Sequence, residues 1–548
     1  MAEKLRVVPL GGLGEIGRNM MVLEYGDDLI VVDAGLMFPE EDMLGVDLVL
    51  PDISYILERR EKLRGILITH GHEDHTGALP YVLNQIQAPV YCTRLTRGLI
   101  SVKLEEHHLL EQADLRLVQL GERIRLGAFS VEFVGVTHSI PDSAALAITT
   151  PVGTVFHTGD FKFDHTPVMG PPSDLQRIAE LGKEGILLLF SDSTYAEVPG
   201  YTDSEQNVAS TFHEVMSTAS GRVIVATFAS LISRIQQVTE AASKTGRQVF
   251  VTGRSMLANV KMALKLGYLN VDQDLLMPLE RMRNFSPEQL VLLTTGAQGE
   301  PMSSLVRMAN QDHRQIELVP GDTVVFSSSA IPGNEMLINK TIDNLFRLGV
   351  KVLTSRNAAV HVRGHAAQEE LKLMINLTKP RFFVPVHGEY RHMAVHAAIA
   401  QSVGVPQEKT FVLEDGDILE VDSYGAQIVG RTSGEYVYVD GLSVGVDKVV
   451  MRDRRHLAND GVVVVIVGVD RHSGKPTGFT DVVSRGFVDG EMDTLMERTR
   501  FVVQDALSGQ EHFSERADIN SKIHEALGRF LYQEIKRRPL ILPVIVEV

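Results

Sequence analysis

The chain of 548 residues has no tryptophan and one cysteine, Cys92. A single thiol excludes a disulfide framework and a thiolate-built zinc site, and it fits a reducing cytosol. Also missing is any apolar run long enough to span a membrane. Residues 1–30 contain no basic stretch followed by an apolar core, so no signal peptide is expected and the chain reads as cytoplasmic. Basic charge is scarce relative to acidic, and the formal net charge is −17. That argues against a general nucleic-acid coat protein, although a metal-lined or locally basic groove can sit on an acidic body. Repeats of fixed period and low-complexity tracts are absent as well. What is present is 44% apolar and 22% charged residues, the profile of a globular protein, at a length that calls for about three domains.

Short β-branched runs bounded by glycine, RVVPLGG, NMMVLEYG, DLIVVDAG and GILIT, read as strands, with helical patterns at 52–63 and 78–87. Further strands are predicted at 131–137, 144–149, 154–157 and 186–190. Two mixed sheets covered by helices fit this order, an αββα sandwich over 1–203. From 204 to 355 strands and helices alternate, which predicts a parallel α/β unit. A strand ending on a histidine, RFFVPVH, resumes the first texture, so 356–445 would complete the sandwich. Residues 446–459 read as a polar linker. The tail, 460–548, reads strand, strand, two helices, strand, a small α+β domain without a catalytic cluster and therefore suited to assembly.

The densest chemistry lies in ILITHGHEDHTGALP, residues 66–80. A buried strand precedes it and a helix follows, so the cluster occupies a strand-to-helix loop, where sites are usually built. His70 and His72 are two apart and can aim both rings at one point. Asp74 and His75 are adjacent, diverge, and can serve a second point. Zinc-class ions take imidazole nitrogen at about 2.0–2.1 Å and carboxylate oxygen at similar range, so two directions imply two ions. Polar groups this dense cost too much to bury without one. His138, Asp160 and His387 each end a strand on the same edge, and a carboxylate such as Asp160 can bridge two cations. These ligands suit zinc or manganese, with magnesium admissible. Gly12-Leu13-Gly14-Glu15-Ile16-Gly17 fits a dinucleotide fingerprint, but a hairpin follows it rather than a helix. Those glycines are read as a tight loop beside the metal site.

Asp33 in VVDAG, the HGHEDH run, His138 and Asp160 resemble, in order, the motifs of the metallo-β-lactamase superfamily. In that superfamily one ion takes the positions of His70, His72 and His138. The other takes those of Asp74 and His75, Asp160 bridges, and Asp33 orients a ligand rather than binding metal. The block inserted before His387 resembles a β-CASP domain. With GGLGEIGRNM, HTGDFKFD, TFAS, GHAAQEEL and PVHGEYRH, essentially the whole chain is similar to the bacterial ribonuclease J family.

That resemblance implies an αββα sandwich interrupted by a β-CASP domain. It implies a two-metal ribonuclease, working 5′ to 3′ from 5′-monophosphate ends of single-stranded RNA and also cutting internally, in RNA maturation and decay. His387 would be a further ligand of the second ion. His365 would sit by the scissile phosphate, with Asp192 orienting a histidine and Asp74 counted among the catalytic groups. The stretch His361, Val362, Arg363, Gly364 and His365, with Ser230 and Ser233, would hold a substrate phosphate. Self-association as a homodimer or higher oligomer, and contact with other RNA-decay proteins, are implied too. One departure stands out: the family more often has serine where this chain has Arg363. Two rivals are a small-ester hydrolase on the same metal core and a silent RNA-binding scaffold. Neither matches the chain as well, since the first needs no inserted domain and the second would have lost ligands. His157 is read as a core histidine, and His165, His213, His392 and His396 as structural.

Overall fold

Two sheets face each other across one apolar layer in the computed structural model, which describes residues 3–40, 42–272, 274–331, 333–471, 476–486, 492–508 and 516–548. The first sheet has eight strands, in the spatial order Ala426–Arg431, Asp417–Val421, Leu5–Gly11, Met20–Tyr25, Asp28–Val32, Leu63–Leu67, Val90–Cys92, Leu115–Leu117. The second has six, Phe382–Val386, Ile186–Asp192, Gly153–His157, Ala144–Thr150, Phe129–Gly135, Arg123–Leu126. Strand side chains alternate between faces. Val131 and Phe133 therefore join Leu5, Val7, Leu23, Ile30 and Leu146 between the sheets. Val134, Phe156 and Leu189 point the other way, under helices Leu175–Glu184, Gln368–Thr378 and Tyr390–Ser402, where they meet Ile178, Leu181, Leu371, Met374 and Ile399. Each of these helix side chains stabilises the layer by about 2 kcal/mol. The expected αββα sandwich is present, and residues from both sides of the insertion build it.

Strand direction decides where the chemistry goes. Asp28–Val32 and Leu63–Leu67 are parallel neighbours. So are Gly153–His157, Ile186–Asp192 and Phe382–Val386, with Asp192 opposite Val386. Parallel strands end on one edge, so the residues that follow them, Asp33, the His70 loop, Asp160 and His387, emerge together, beside Asp192 at the last position of its own strand.

The inserted block forms a six-stranded sheet, Leu276–Met277, Gln248–Val251, Leu290–Thr294, Val223–Ala226, Thr323–Phe326, Lys351–Leu353, with every pairing parallel. The glycine loop is a tight loop and not a dinucleotide turn. Gly12, Gly14 and Gly17 all have positive φ, and Leu13–Gly14 pairs with Gly388–Glu389.

Residues 39–48 and 438–548 form a second compact unit. Its central strand Val462–Val469 lies between antiparallel Pro476–Arg485 and parallel Leu540–Glu547. Val503, Ile523, Leu527 and Leu531 of two helices pack on this sheet. The stretch 446–459, read as a linker, is instead largely helical, Lys448–Asp460. Asp447 caps it by accepting the Val449 N–H at 2.8 Å, Met451 is buried, and Arg454 pairs with Asp440 and donates to the Gly45 carbonyl at 2.9 Å. Charge contacts hold this helix and Met451 is its one buried side chain, so its sequence reads as polar. The helical patterns at 52–63 and 78–87 shrink to Ser54–Leu57 with a 3-10 turn at Arg60–Lys62, and to Leu79–Leu83. Among the described residues no helix is long and apolar enough to cross a membrane.

Candidate metal centre

The strand ends deliver two adjoining groups of ligand atoms. His70, His72 and His138 form one, and Asp74, His75, Asp160 and His387 the other, with the ligand atoms of each group within 4.8 Å of one another. Asp160 Oδ2 sits between them. It is 3.6 Å from His70 Nε2, 3.8 Å from His138 Nε2, 3.2 Å from His75 Nε2 and 3.7 Å from His387 Nε2. His72 turns Nδ1 toward His70 Nε2 and His138 Nε2, at 3.1 and 3.2 Å. Asp74 Oδ2 lies 3.2 Å from His387 Nε2. Facing nitrogens that meet mainly each other, around a buried carboxylate, are the donor set a divalent cation requires.

The far side of four of these five rings is tied down, which fixes how each of the four is turned. His75 Nδ1 donates to Asp33 Oδ2 at 2.7 Å. His138 Nδ1 donates to the Gly364 carbonyl at 2.7 Å. His70 Nδ1 meets Thr69 Oγ1 at 3.1 Å, and His387 Nδ1 meets Thr194 Oγ1 at 2.6 Å. Asp33 binds no facing nitrogen of the clusters. It accepts the Thr69 N–H at 2.8 Å and holds the loop. Asp33 and His387 both adopt left-handed backbone, φ +61° and +54°. Such strain collects at working sites, and here His387 N–H donating to the Gly12 carbonyl at 3.1 Å helps sustain it.

Electrostatics divide the rings in two. Burial pushes His72 down to about 4 and holds His70 and His138 well below the usual imidazole range, so these three are neutral with lone pairs free. Burial also acts on His75 and His387, but carboxylates overcome it. Asp160, Asp74 and Asp33 hold His75 well above its ordinary value, and Asp160, Asp192 and Asp74 raise His387 to about 10. Asp160 stays ionised because His387 and His75 outweigh its burial.

His365 stands against the clusters, its ring stacked on His387 at 5.3 Å between centroids and 4.9 Å from His138. Its Nδ1 donates to Asp192 Oδ2 at 2.8 Å. Gly364 supplies the carbonyl that turns His138, and a Cβ there would lie 2.9 Å from both His138 Cε1 and Ser139 Cβ. Arg363 is exposed, its guanidinium 5.0 Å from the Tyr195 ring centroid. Val362 packs into the apolar cluster of the insertion, so only its backbone faces outward. The His361 Nδ1 atom is buried without a partner, and burial with Arg234 beside it keeps the ring neutral. Ser233, in helix Ile232–Lys244, donates its Oγ proton to the Ser139 carbonyl at 3.1 Å, and Ser230 is half-buried in the turn before that helix. His157 is buried, and its Nδ1 accepts the Gly159 N–H at 3.0 Å.

Several participants had no signal in the sequence. Thr69 and Thr194 carry single hydroxyls. Asn19 Nδ2 donates to the Asp74 carbonyl at 3.1 Å and lies 3.2 Å from His75 Nε2. Glu370, fully buried, accepts the N–H groups of Phe163 and Thr202 at 2.7 Å each and of Ala367 at 2.8 Å. Thr202 Oγ1 in turn donates to the His365 carbonyl at 2.7 Å. Only the third-position glutamate in GHAAQEEL, a helix-start pattern, pointed toward it.

Comparison with known proteins agrees with this architecture. Residues 13–200 match the metallo-beta-lactamase superfamily, 220–345 the ribonuclease J beta-CASP domain, 349–412 a Zn-dependent metallo-hydrolase RNA specificity domain, and 449–548 the ribonuclease J C-terminal domain. A solved structure of a protein of unknown function from Enterococcus faecalis shares the fold over 76% of this chain and all of its own, with a TM-score of 0.53 and 16% identity. Ribonuclease J of Thermus thermophilus is 44% identical over the whole chain and 96% of its own length. Ribonuclease J 1 of Streptococcus pyogenes is 43% identical over 99% of the chain and 98% of its own length, and ribonuclease J2 of Bacillus subtilis is 40% identical over 100% and 99%. With likeness of this depth over its full span, the chain belongs to the ribonuclease J family.

Proposed function

We propose that the chain is a two-metal ribonuclease. On this reading it removes nucleotides 5′ to 3′ from single-stranded RNA with 5′-monophosphate ends and also cuts internally. The observation that carries it is Asp160 Oδ2, set within 3.2–3.8 Å of ring nitrogens from two separate ligand groups. His70, His72 and His138 would hold one zinc or manganese ion, Asp74, His75 and His387 the other, and Asp160 would serve both. Magnesium is admissible in the same set. Bound there, paired divalent ions supply Lewis acidity toward a phosphoryl oxygen and a nucleophile at neutral pH.

The chain's own groups do the rest. Asp192 fixes His365 with Nδ1–H engaged, which leaves Nε2 to handle the proton of the departing 3′-oxygen. The stretch His361–His365, with Ser230 and Ser233, receives a substrate phosphate, and Arg363 adds a cation able to grip it. A phosphate held at fixed distance from the ions measures off one nucleotide. In this reading 1–203 and 356–445 form the metallo-β-lactamase domain, 204–355 the β-CASP domain, and 460–548 a domain for assembly into a homodimer or larger oligomer. Work in cytoplasmic RNA maturation and decay, alongside other RNA-decay proteins, is part of the same proposal.

The test is purified protein with 5′-monophosphorylated RNA and Mn²⁺, with and without chelator. Mononucleotide release that stops on chelation supports the proposal, and Asp160→Ala should abolish it while leaving RNA binding measurable. Binding without turnover would make the chain a scaffold. Intact RNA with hydrolysis of a thioester or lactone would make it a small-ester hydrolase.

A further inference from the structure

Two carboxylates hold four histidines in matching fashion. Asp33 takes the His75 Nδ1 proton directly at 2.7 Å and reaches His70 through Thr69, whose Oγ1 lies 2.9 Å from Asp33 Oδ2 and 3.1 Å from His70 Nδ1. Asp192 takes the His365 Nδ1 proton directly at 2.8 Å. It reaches His387 through Thr194, whose hydroxyl donates to Asp192 Oδ1 at 2.7 Å and lies 2.6 Å from His387 Nδ1. His387 Nδ1 and Asp192 Oδ1 are 3.4 Å apart, a poor distance for a direct bond, so the hydroxyl is the effective link.

The turn at Asp192 does not by itself require that hydroxyl. The Thr194 N–H already closes it on Asp192 Oδ1 at 3.0 Å, as any residue's amide would. The contact to His387, 193 positions further along, is additional. Thr194 is also buried, so no water replaces its oxygen.

We propose that Thr194 is a positioning residue of the metal centre. Its oxygen accepts the Nδ1 proton of His387 while its own proton goes to Asp192. Once a cation displaces the Nε2 proton, His387 is thereby left with Nδ1–H engaged and its Nε2 lone pair turned toward the side of Asp74 and Asp160. Through the same carboxylate, the orientation of His387 is tied to that of His365. The inference rests on the metal reading proposed above, and its test separates the two.

The experiment is Mn²⁺ titration of the full chain by calorimetry, for the natural protein, Thr194→Val and Thr194→Ser, with thermal melting of each metal-free protein. Valine keeps the shape and removes the hydroxyl. It should weaken one class of bound ion about 10–100-fold and leave the other, with the metal-free melting temperature little changed. Serine restores the oxygen and should recover affinity to within about threefold. Equal binding by Thr194→Val and the natural protein overturns the proposal, and so does serine no better than valine, or loss of both classes together. If valine does not yield folded protein, Thr194→Ala is titrated and read the same way. No ion bound by the natural protein would instead sink the metal reading itself.

Discussion

Glu370→Gln changes one atom of a side chain that never touches the clusters, and the structure predicts a large cost. The carboxylate accepts one N–H on Oε1, from Phe163, and two on Oε2, from Thr202 and Ala367. In its best orientation glutamine keeps the two and turns its amide nitrogen toward the Phe163 N–H. One charge-assisted bond is lost, worth about 1.5–3 kcal/mol, and a buried donor is left unmet. The two that remain become neutral bonds, about half as strong. The lost and weakened bonds together come to about 3–6 kcal/mol. With a urea slope of about 3 kcal/mol per molar, the unfolding midpoint of the sandwich should fall by about 1–2 M, followed by circular dichroism because the chain has no tryptophan. Turnover should fall more than about tenfold even in dilute buffer, since Phe163 follows Asp160 closely and Thr202 holds the His365 carbonyl. A midpoint within about 0.2 M of the natural protein would refute this account of Glu370.

Four further outcomes follow from the site. Asp33→Asn leaves one oxygen where two now take the His75 Nδ1 proton and the Thr69 N–H, and should weaken Mn²⁺ binding about 10–100-fold in chelator competition; unchanged affinity would remove Asp33 from the centre. His387, raised to about 10 in the metal-free chain, keeps its proton at neutral pH. That proton stabilises the metal-free fold fully below pH 6.5 and less as pH rises through about 10, and a cation must expel it. Metal affinity should therefore climb with pH up to about 10, with proton release seen by calorimetry in buffers of different ionisation enthalpy, and absence of release contradicts the assignment. Arg363→Ser should raise KM for 5′-monophosphorylated RNA about tenfold with little change in kcat, whereas an unaltered KM would place the guanidinium in solvent. Gly364→Ala puts a carbon 2.9 Å from His138 Cε1 and should cost more than about tenfold in turnover, and full activity would show that His138 tolerates displacement.

The sandwich was legible because its strands are nearly continuous apolar runs, buried on both faces as at Ile186–Asp192. The residues of the two clusters were legible as candidates because they crowd one loop or follow a strand end. Parallel pairing then brings those strand ends together, which is why residues as distant as His70 and His387 share a site. Thr69 and Thr194 were not legible. A hydroxyl beside an aspartate is ordinary, and the partner that gives Thr194 its role is 193 residues away. Glu370 reads as an exposed helix glutamate until three loops are seen to close on it. Nor was the bond from the Gly364 carbonyl to His138 legible, since a glycine in the expected phosphate stretch gives no hint of it. The helix at Lys448–Asp460 was hidden because its contacts are charged.

The clusters draw on chain from His70 to His387, with the entire inserted sheet between Asp192 and His365. On a ribosome, the early ligands emerge long before the late ones. A growing chain therefore carries histidines and acids without the means to gather them. The full set can come together only after the returning strand Phe382–Val386 has been made and paired with Ile186–Asp192.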